Sequence, residues 1–271
     1  MSLAYTGRMR LGVWLVFAAT VLSALVGISR AAAPTAVELL PDLEQKLPLA
    51  LDVAPDGERF RLGFASRVSN VGAGPLVVSA IRPNRKTKTM TARQRVRLGD
   101  GSERVGSIVG RLRYEHAETH SHWHLLPFEH YELRPAGGDS AVTLALKQGF
   151  CLGDRYRDPR ARELDAPAEP VFRHECGKGS TRLVRMREGI SVGYGDLYKA
   201  HLEGQSFDVT DLAAGEYVLA NVVNRDQRIR ESGYANNAAS ILLSLDWPNG
   251  PGEAPRVQVL AECLSTADCS R

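Results

Sequence analysis

The chain has 271 residues, with 34 Lys and Arg against 31 Asp and Glu, for a formal net charge of +3. Residues 1–33 hold Arg8, Arg10 and Arg30 and no acid, so the remainder is formally neutral and offers no basic excess for nucleic acid. Residues 34–271 suffice for one substantial core, and no linker marks a second domain.

The N-terminus reads as an export signal over residues 1–33. Arg8 and Arg10 precede an apolar run from Leu11 to Ile28, and Ala31, Ala32 and Ala33 offer small residues for cleavage before Pro34. The length of the run and the poor fit of Pro34 after a cut leave a retained membrane anchor as the alternative. On either reading residues 34–271 are exported, as a secreted, periplasmic or envelope-held protein that meets a membrane only through an uncut N-terminus.

The mature chain reads as short β-strands punctuated by Gly, Pro, Asn and Asp. Arg59 to Ser69 alternates and ends in Asn70-Val71-Gly72-Ala73-Gly74. Leu76 to Ile81 is apolar and β-branched. The basic stretch Arg82 to Arg97 reads as a solvated loop. Further strands are expected at Ser107–Tyr114, His120–Leu133, Ala141–Leu146, Phe207–Val209, Glu216–Val223 and Ala238–Leu245. No helical periodicity follows the signal, and Arg155 to Arg173 reads as a long loop. The expectation is an all-β fold, an antiparallel sandwich-like single domain with long loops.

Of the 7 histidines in the chain, His116, His120, His122, His124 and His130 fall within fifteen residues. On a strand the side-chain period is two, so His120, His122 and His124 project from one face with Cα atoms roughly 6.5–7 Å apart. Three imidazoles suit copper or zinc, and raw affinity favours copper. The 4 cysteines are an even count in an exported chain, which favours disulfides over thiolate ligands. Three pairings are open; the simplest joins neighbours, Cys151 with Cys176 and Cys263 with Cys269.

Past the triad come Phe128-Glu129-His130-Tyr131-Glu132-Leu133, Lys147-Gln148-Gly149-Phe150-Cys151-Leu152-Gly153-Asp154 and Asp196-Leu197-Tyr198. Phe207 to Leu212, Gly215 to Leu219 and Glu231 to Asn237 follow in order. This succession, from about Leu40 to Leu245, resembles the catalytic domain of the lysyl oxidase family. Each segment alone is weak; together, in order and at comparable spacing, they are specific.

The resemblance implies a copper amine oxidase that builds a lysine tyrosylquinone from its own side chains. The family's copper ligands fall on His120, His122 and His124, and its cross-linked cofactor pair on Lys147 and Tyr198. Tyr194 and Lys199 are neighbouring decoys. A primary amine, peptidyl lysine included, would be converted to an aldehyde with O2, releasing peroxide and ammonia. His130 or His116 could serve as general base, although His130 equally suits a supporting role; Glu132 stands where the family more often has aspartate. The Pro41-Asp42-Leu43 segment and the Glu231–Asn237 loop resemble a calcium site made by Asp42, the Leu43 carbonyl, Glu231, Asn236 and Asn237, with Gly233 in place of a further aspartate. The chain has fewer cysteines than animal members and lacks their lead-in to the triad, so collagen and elastin specificity does not carry over. The alternative class is a non-catalytic, secreted copper-binding β-sandwich. A zinc hydrolase is a third reading, with only Glu115 and Glu118 nearby as acids.

Overall fold

The computed structural model describes residues 1, 2, 4, 36–116, 121–138, 143–145 and 149–271. The proposed signal apart from residues 1, 2 and 4, together with His120 and Lys147, lies outside the described residues, and Leu144 is described by its backbone alone. In chain order the strands are β1 (Glu38–Leu39), β2 (Leu43–Gln45), β3 (Leu49–Asp56), β4 (Arg59–Asn70), β5 (Leu76–Ile81), β6 (Thr89–Leu98), β7 (Glu103–His116), β8 (Ser121–Leu126) and β9 (Glu129–Pro135). They continue with β10 (Thr143–Leu144), β11 (Tyr156–Arg157), β12 (Arg185–Ile190), β13 (Tyr194–Tyr198), β14 (Ser206–Asp208), β15 (Gly215–Val223), β16 (Ala238–Asp246) and β17 (Arg256–Leu264). Among the described residues the one helical element is a turn at Pro159–Arg162, capped by Asp158, whose carboxylate accepts the Arg160 N–H. No described helix is long and apolar enough to cross a membrane.

Three antiparallel sheets make up the fold. One runs β12-β5-β6-β7-β8 with β1 beside β6, and a second runs β10-β9-β15-β16-β17. The third runs β11-β13-β4-β14, with β2 and β3 also on β4. All three feed one contiguous core that includes Phe64 from β4, Trp123 and Leu125 from β8, Leu133 from β9, and Ile241 and Leu243 from β16. The all-β antiparallel expectation therefore holds for Ala36–Arg271.

Two sequence readings change. Thr89–Leu98, expected within a solvated loop, is a strand inside the first sheet, paired with β5 and β7. Its Met90, Ala92, Gln94 and Val96 are buried while Thr91 and Arg93 are exposed, so the strand is amphipathic with arginine on its wet face. The single strand expected over His120–Leu133 is two, broken at Pro127, whose missing N–H cannot continue a ladder. The break moves the chain between sheets: β8 pairs with β7, and β9 pairs with β15.

Candidate metal and cofactor site

The register on β7 sets Arg113 opposite His124 and Glu115 opposite His122, so both imidazoles share one face of β8. Trp123 and Leu125 fill the other face and are almost fully buried. The Trp123 indole N–H donates to the Ser180 carbonyl at 3.0 Å, and the Arg82 guanidinium lies 4.7 Å from the centre of the ring system. Arg82 is itself fixed by donating from Nε, Nη1 and Nη2 to the carbonyls of Leu183, Thr87 and Thr181. The strand that presents the histidines is thus locked from behind.

In front, the two imidazoles converge. His122 Nε2 and His124 Nε2 are 2.7 Å apart, and His124 is buried. Ring nitrogens about 2 Å from one ion lie close to this separation when neighbouring, so the pair fits a shared small cation. Among the described residues no cluster of three such ligands forms, and the third histidine expected there, His120, falls outside them.

Tyr198 comes to the same place from β13. It lines a cavity of about 240 Å³ with His122, Asp196, Arg155 and Lys178. Its hydroxyl lies 2.9 Å from Asp196 Oδ2 and 3.0 Å from the Cys151 carbonyl oxygen. Asp196 and Tyr198 are two apart on one strand, which puts both on the same face. Burial raises the Asp196 carboxyl to about 7, partly offset by the Arg155 guanidinium 3.8 Å away. Burial and the Asp196 charge push the Tyr198 phenol well above its ordinary range.

Gly149 and Phe150 lie beside the histidine strand. Phe150 bridges to Leu125 of β8 through reciprocal backbone hydrogen bonds of 3.1 and 2.8 Å. Its ring meets Tyr198 edge-on at 4.6 Å. A Cβ at Gly149 would stand 2.8 Å from His124 Cβ, so only glycine lets the chain pass this close. The Cys151–Cys176 disulfide completes the wall, and Cys263–Cys269 closes a short loop near the C-terminus.

Other expected residues lie elsewhere. His130 Nε2 is 2.6 Å from Arg225 Nη1 and 3.3 Å from Glu132 Oε2, in a separate cavity of about 320 Å³. His116 is exposed with its ring 4.8 Å from that of Tyr114. Neither lines the Tyr198 cavity. Of the decoys, Tyr194 directs its hydroxyl at the carbonyls of Pro167 and Ala168, and Lys199 is exposed.

Two acids were not singled out as site residues from the sequence. Asp196 could have been found from its period-two spacing to Tyr198. Glu188 of β12 could not. It is fully buried, and burial and the Asp196 charge push it well up against smaller opposing effects of the Leu152 backbone N–H and Arg155.

The residues expected to bind calcium do gather. Glu231 Oε2 accepts the Leu43 N–H at 2.6 Å, and Oε1 accepts Asn224 and Asn237 Nδ2 at 2.6 and 2.8 Å. Asp42 Oδ1 accepts Asn236 Nδ2 at 2.7 Å, and Asn237 Oδ1 is buried without a partner. A Cβ at Gly233 would lie 3.8 Å from Asp42 Oδ2, which shows that position 233 faces the cluster but contributes no ligand. Burial raises Glu231 to about 7.

A family model described as Lysyl oxidase matches residues 76–247. Lysyl oxidase homolog 3B of Danio rerio is 32% identical over 185 residues, covering 68% of this chain and 17% of the relative. Lysyl oxidase homolog 3 of Homo sapiens is 31% identical over 131 residues, covering 48% of this chain and 15% of the relative. Lysyl oxidase homolog 2 of Xenopus laevis is 30% identical over 130 residues, or 48% of this chain and 15% of the relative. The chain thus spans less than a fifth of the length of the curated relatives it matches.

Proposed function

The chain belongs to the lysyl oxidase family, and from that premise we propose that it is an exported copper- and lysine tyrosylquinone-dependent amine oxidase. Primary amines, peptidyl lysine among them, are its substrate class. The observation that carries the reading is the shared cavity of His122, Asp196 and Tyr198. His122 and His124, with His120, would hold copper; Lys147 and Tyr198 would supply the cofactor. Copper and the quinone would supply the redox chemistry by which a primary amine, O2 and water give an aldehyde, ammonia and hydrogen peroxide.

The chain's own residues bind, orient and move protons. Asp196, raised to about 7, is better placed than His130 to accept a proton inside the cavity. The Arg155 guanidinium beside it favours the charged form and limits how far burial raises it. Phe150 and the Cys151 carbonyl fix the Tyr198 ring and its hydroxyl. Export is supported by the apolar N-terminal run and by the two disulfides.

The test is amine-dependent peroxide release by the copper-loaded protein, with peptide mapping for a Lys147–Tyr198 cross-link. Tyr198→Phe should bind copper normally and release no peroxide. Full turnover in that variant overturns the quinone reading. Copper binding without turnover or cross-link in the unaltered protein leaves the non-catalytic binding module.

Calcium at the Asp42–Asn237 cluster is the second part of the reading, supported by the orphaned Oδ1 of Asn237, whose Nδ2 donates to Glu231, and by the Asp42 carboxylate that accepts from neighbouring Asn236. With Gly233 adding no charge, affinity should be low. Calcium at ten times its Kd should add about 1.4 kcal/mol of stability, and Asp42→Ala should abolish the shift in Tm; an unshifted parent protein removes calcium from the proposal.

A further inference from the structure

The outward face of the first sheet carries arginines in cross-strand register. Arg185 of β12 lies opposite Ile81 of β5, Ile81 opposite Thr91 of β6, and Thr91 opposite Arg111 of β7. In the neighbouring row Arg187 lies opposite Ser79, and Ser79 opposite Arg93. Residues directly opposed across a ladder share a face, and Arg95 joins Arg93 two positions on. The other face of the same strands is core, with Val78, Ala80, Met90, Ala92 and Leu112 buried.

Glu103 supplies a counter-charge felt by Arg187, Arg97 and Arg95. Glu103 meets Arg187, with Nη1 to Oε2 at 2.9 Å. Among the described residues no carboxylate lies within ion-pair range of Arg93, Arg95, Arg111 or Arg185. Arg95 instead donates to Ser79 Oγ at 2.7 Å, and Arg93 reaches the Gly106 carbonyl at 3.4 Å. A trough of about 600 Å³ on this face is lined by Ser79, Ile81, Thr91, Arg93, Arg95, Arg185 and Arg187, with Arg111 outside it. Ile81 and Ile108 are each 51% exposed on this face.

The face continues to the candidate site. β7 pairs with β8, Arg113 opposite His124 and Glu115 opposite His122, so the arginines and the two histidines share one side of one sheet. Two strand spacings separate β6 from β8, about 10 Å, and four separate β12 from β8, about 19 Å. An extended chain covers these distances in roughly three to six residues. Guanidinium forks match carboxylates, and the apolar side chains between them suit a polypeptide more than a uniform anionic lattice.

We propose that this face docks an acidic polypeptide segment and so selects lysines with carboxylates about three to six residues away. The inference rests on the amine oxidase reading and adds its substrate class. Carboxylates would pair with Arg93, Arg95, Arg111 and Arg185, holding the flanking chain while the lysine reaches the Tyr198 cavity. Charge of this kind acts on encounter and on KM more than on the chemical step, and it weakens with salt.

The experiment compares a lysine peptide with glutamates three to six residues from the lysine, the same peptide with glutamines, and butylamine. The unaltered protein should prefer the acidic peptide by at least tenfold in kcat/KM, and the preference should fall in high salt. Arg93→Glu combined with Arg185→Glu should abolish it while leaving butylamine turnover within twofold. A variant that keeps the preference, or equal use of both peptides, overturns the proposal. Binding of an acidic peptide with norleucine in place of lysine, read by fluorescence anisotropy, separates the two claims. If no amine is oxidised but this peptide binds and the double variant loses it, the oxidase reading fails and the docking face stands. Vesicles of anionic lipid that bind the unaltered protein and exclude the peptide overturn the peptide assignment.

Discussion

The carbonyl of Cys151 lies 3.0 Å from the Tyr198 hydroxyl, while that of Cys176, its disulfide partner, accepts the Trp123 N–H at 3.0 Å. One covalent bridge therefore joins the strand that carries the histidines to the phenol they face.

Removing that bridge should cost both stability and site geometry. Cys151 and Cys176 are 25 residues apart, whereas Cys263 and Cys269 are 6 apart. Loop-closure entropy favours the longer loop, so Cys151→Ser with Cys176→Ser should lose about 2–4 kcal/mol and the second pair less. On the copper reading, metal affinity should weaken in the first double variant and hold in the second. Thermal melts and a copper titration of both variants check this; equal copper affinity in the two would deny the bridge its positioning role.

Gly149 offers a sharper test of the same wall. Alanine there would put a methyl 2.8 Å from His124 Cβ and 3.0 Å from Leu126 Cδ2. Overpacking at such a contact costs about 1–3 kcal/mol. Gly149→Ala should lower Tm and loosen copper binding, while Gly252→Ala, which meets nothing within 4 Å, should do neither. Denaturation and metal titration of the two variants side by side give the answer.

Glu188 predicts a pH dependence of stability. Burial and the Asp196 charge raise its carboxyl, so the native state holds a proton that the unfolded chain releases in the ordinary carboxylate range. At this carboxyl the native state binds more protons, so its contribution to stability is greatest in acid and declines as pH rises from the ordinary carboxylate range toward the raised value. Glu188→Gln removes this loss. It should stabilise the protein by roughly 1–3 kcal/mol at pH 8, the scale of desolvating a buried polar group, and by little at pH 4. Urea melts at both pH values decide; a pH-independent difference would mean the carboxyl ionises freely.

Much of this architecture can be read from the chain, and the exceptions have physical causes. Leu76–Ile81 is apolar and β-branched throughout and forms the strand it suggests. Thr89–Leu98 was hidden because its buried positions are Met90, Ala92, Gln94 and Val96, a weak apolar stripe between arginines. His122 and His124 converge because the strand period is local. His130, only six positions from His124, belongs to another sheet because Pro127 breaks the ladder, and sequence proximity could not reveal that. Glu188 reaches the neighbourhood of Asp196 through tertiary packing, which no local pattern encodes.

Asp196 is where that packing meets the chemistry. Its carboxyl, raised to about 7 by burial, is 2.9 Å from the Tyr198 hydroxyl inside the cavity. A base accepts a proton only when ionised, so on the oxidase reading kcat/KM should climb through an acid limb near pH 7 and level above it. Asp196→Asn keeps the shape and removes the base. Turnover should fall by about 10²–10⁴-fold and the limb near pH 7 should vanish, with copper content unchanged. Asp196→Glu, which restores a carboxylate, should recover part of the rate and a displaced limb. A variant with asparagine that retains the unaltered limb would assign the proton transfer to another group, and His130→Gln would then be the next substitution to profile.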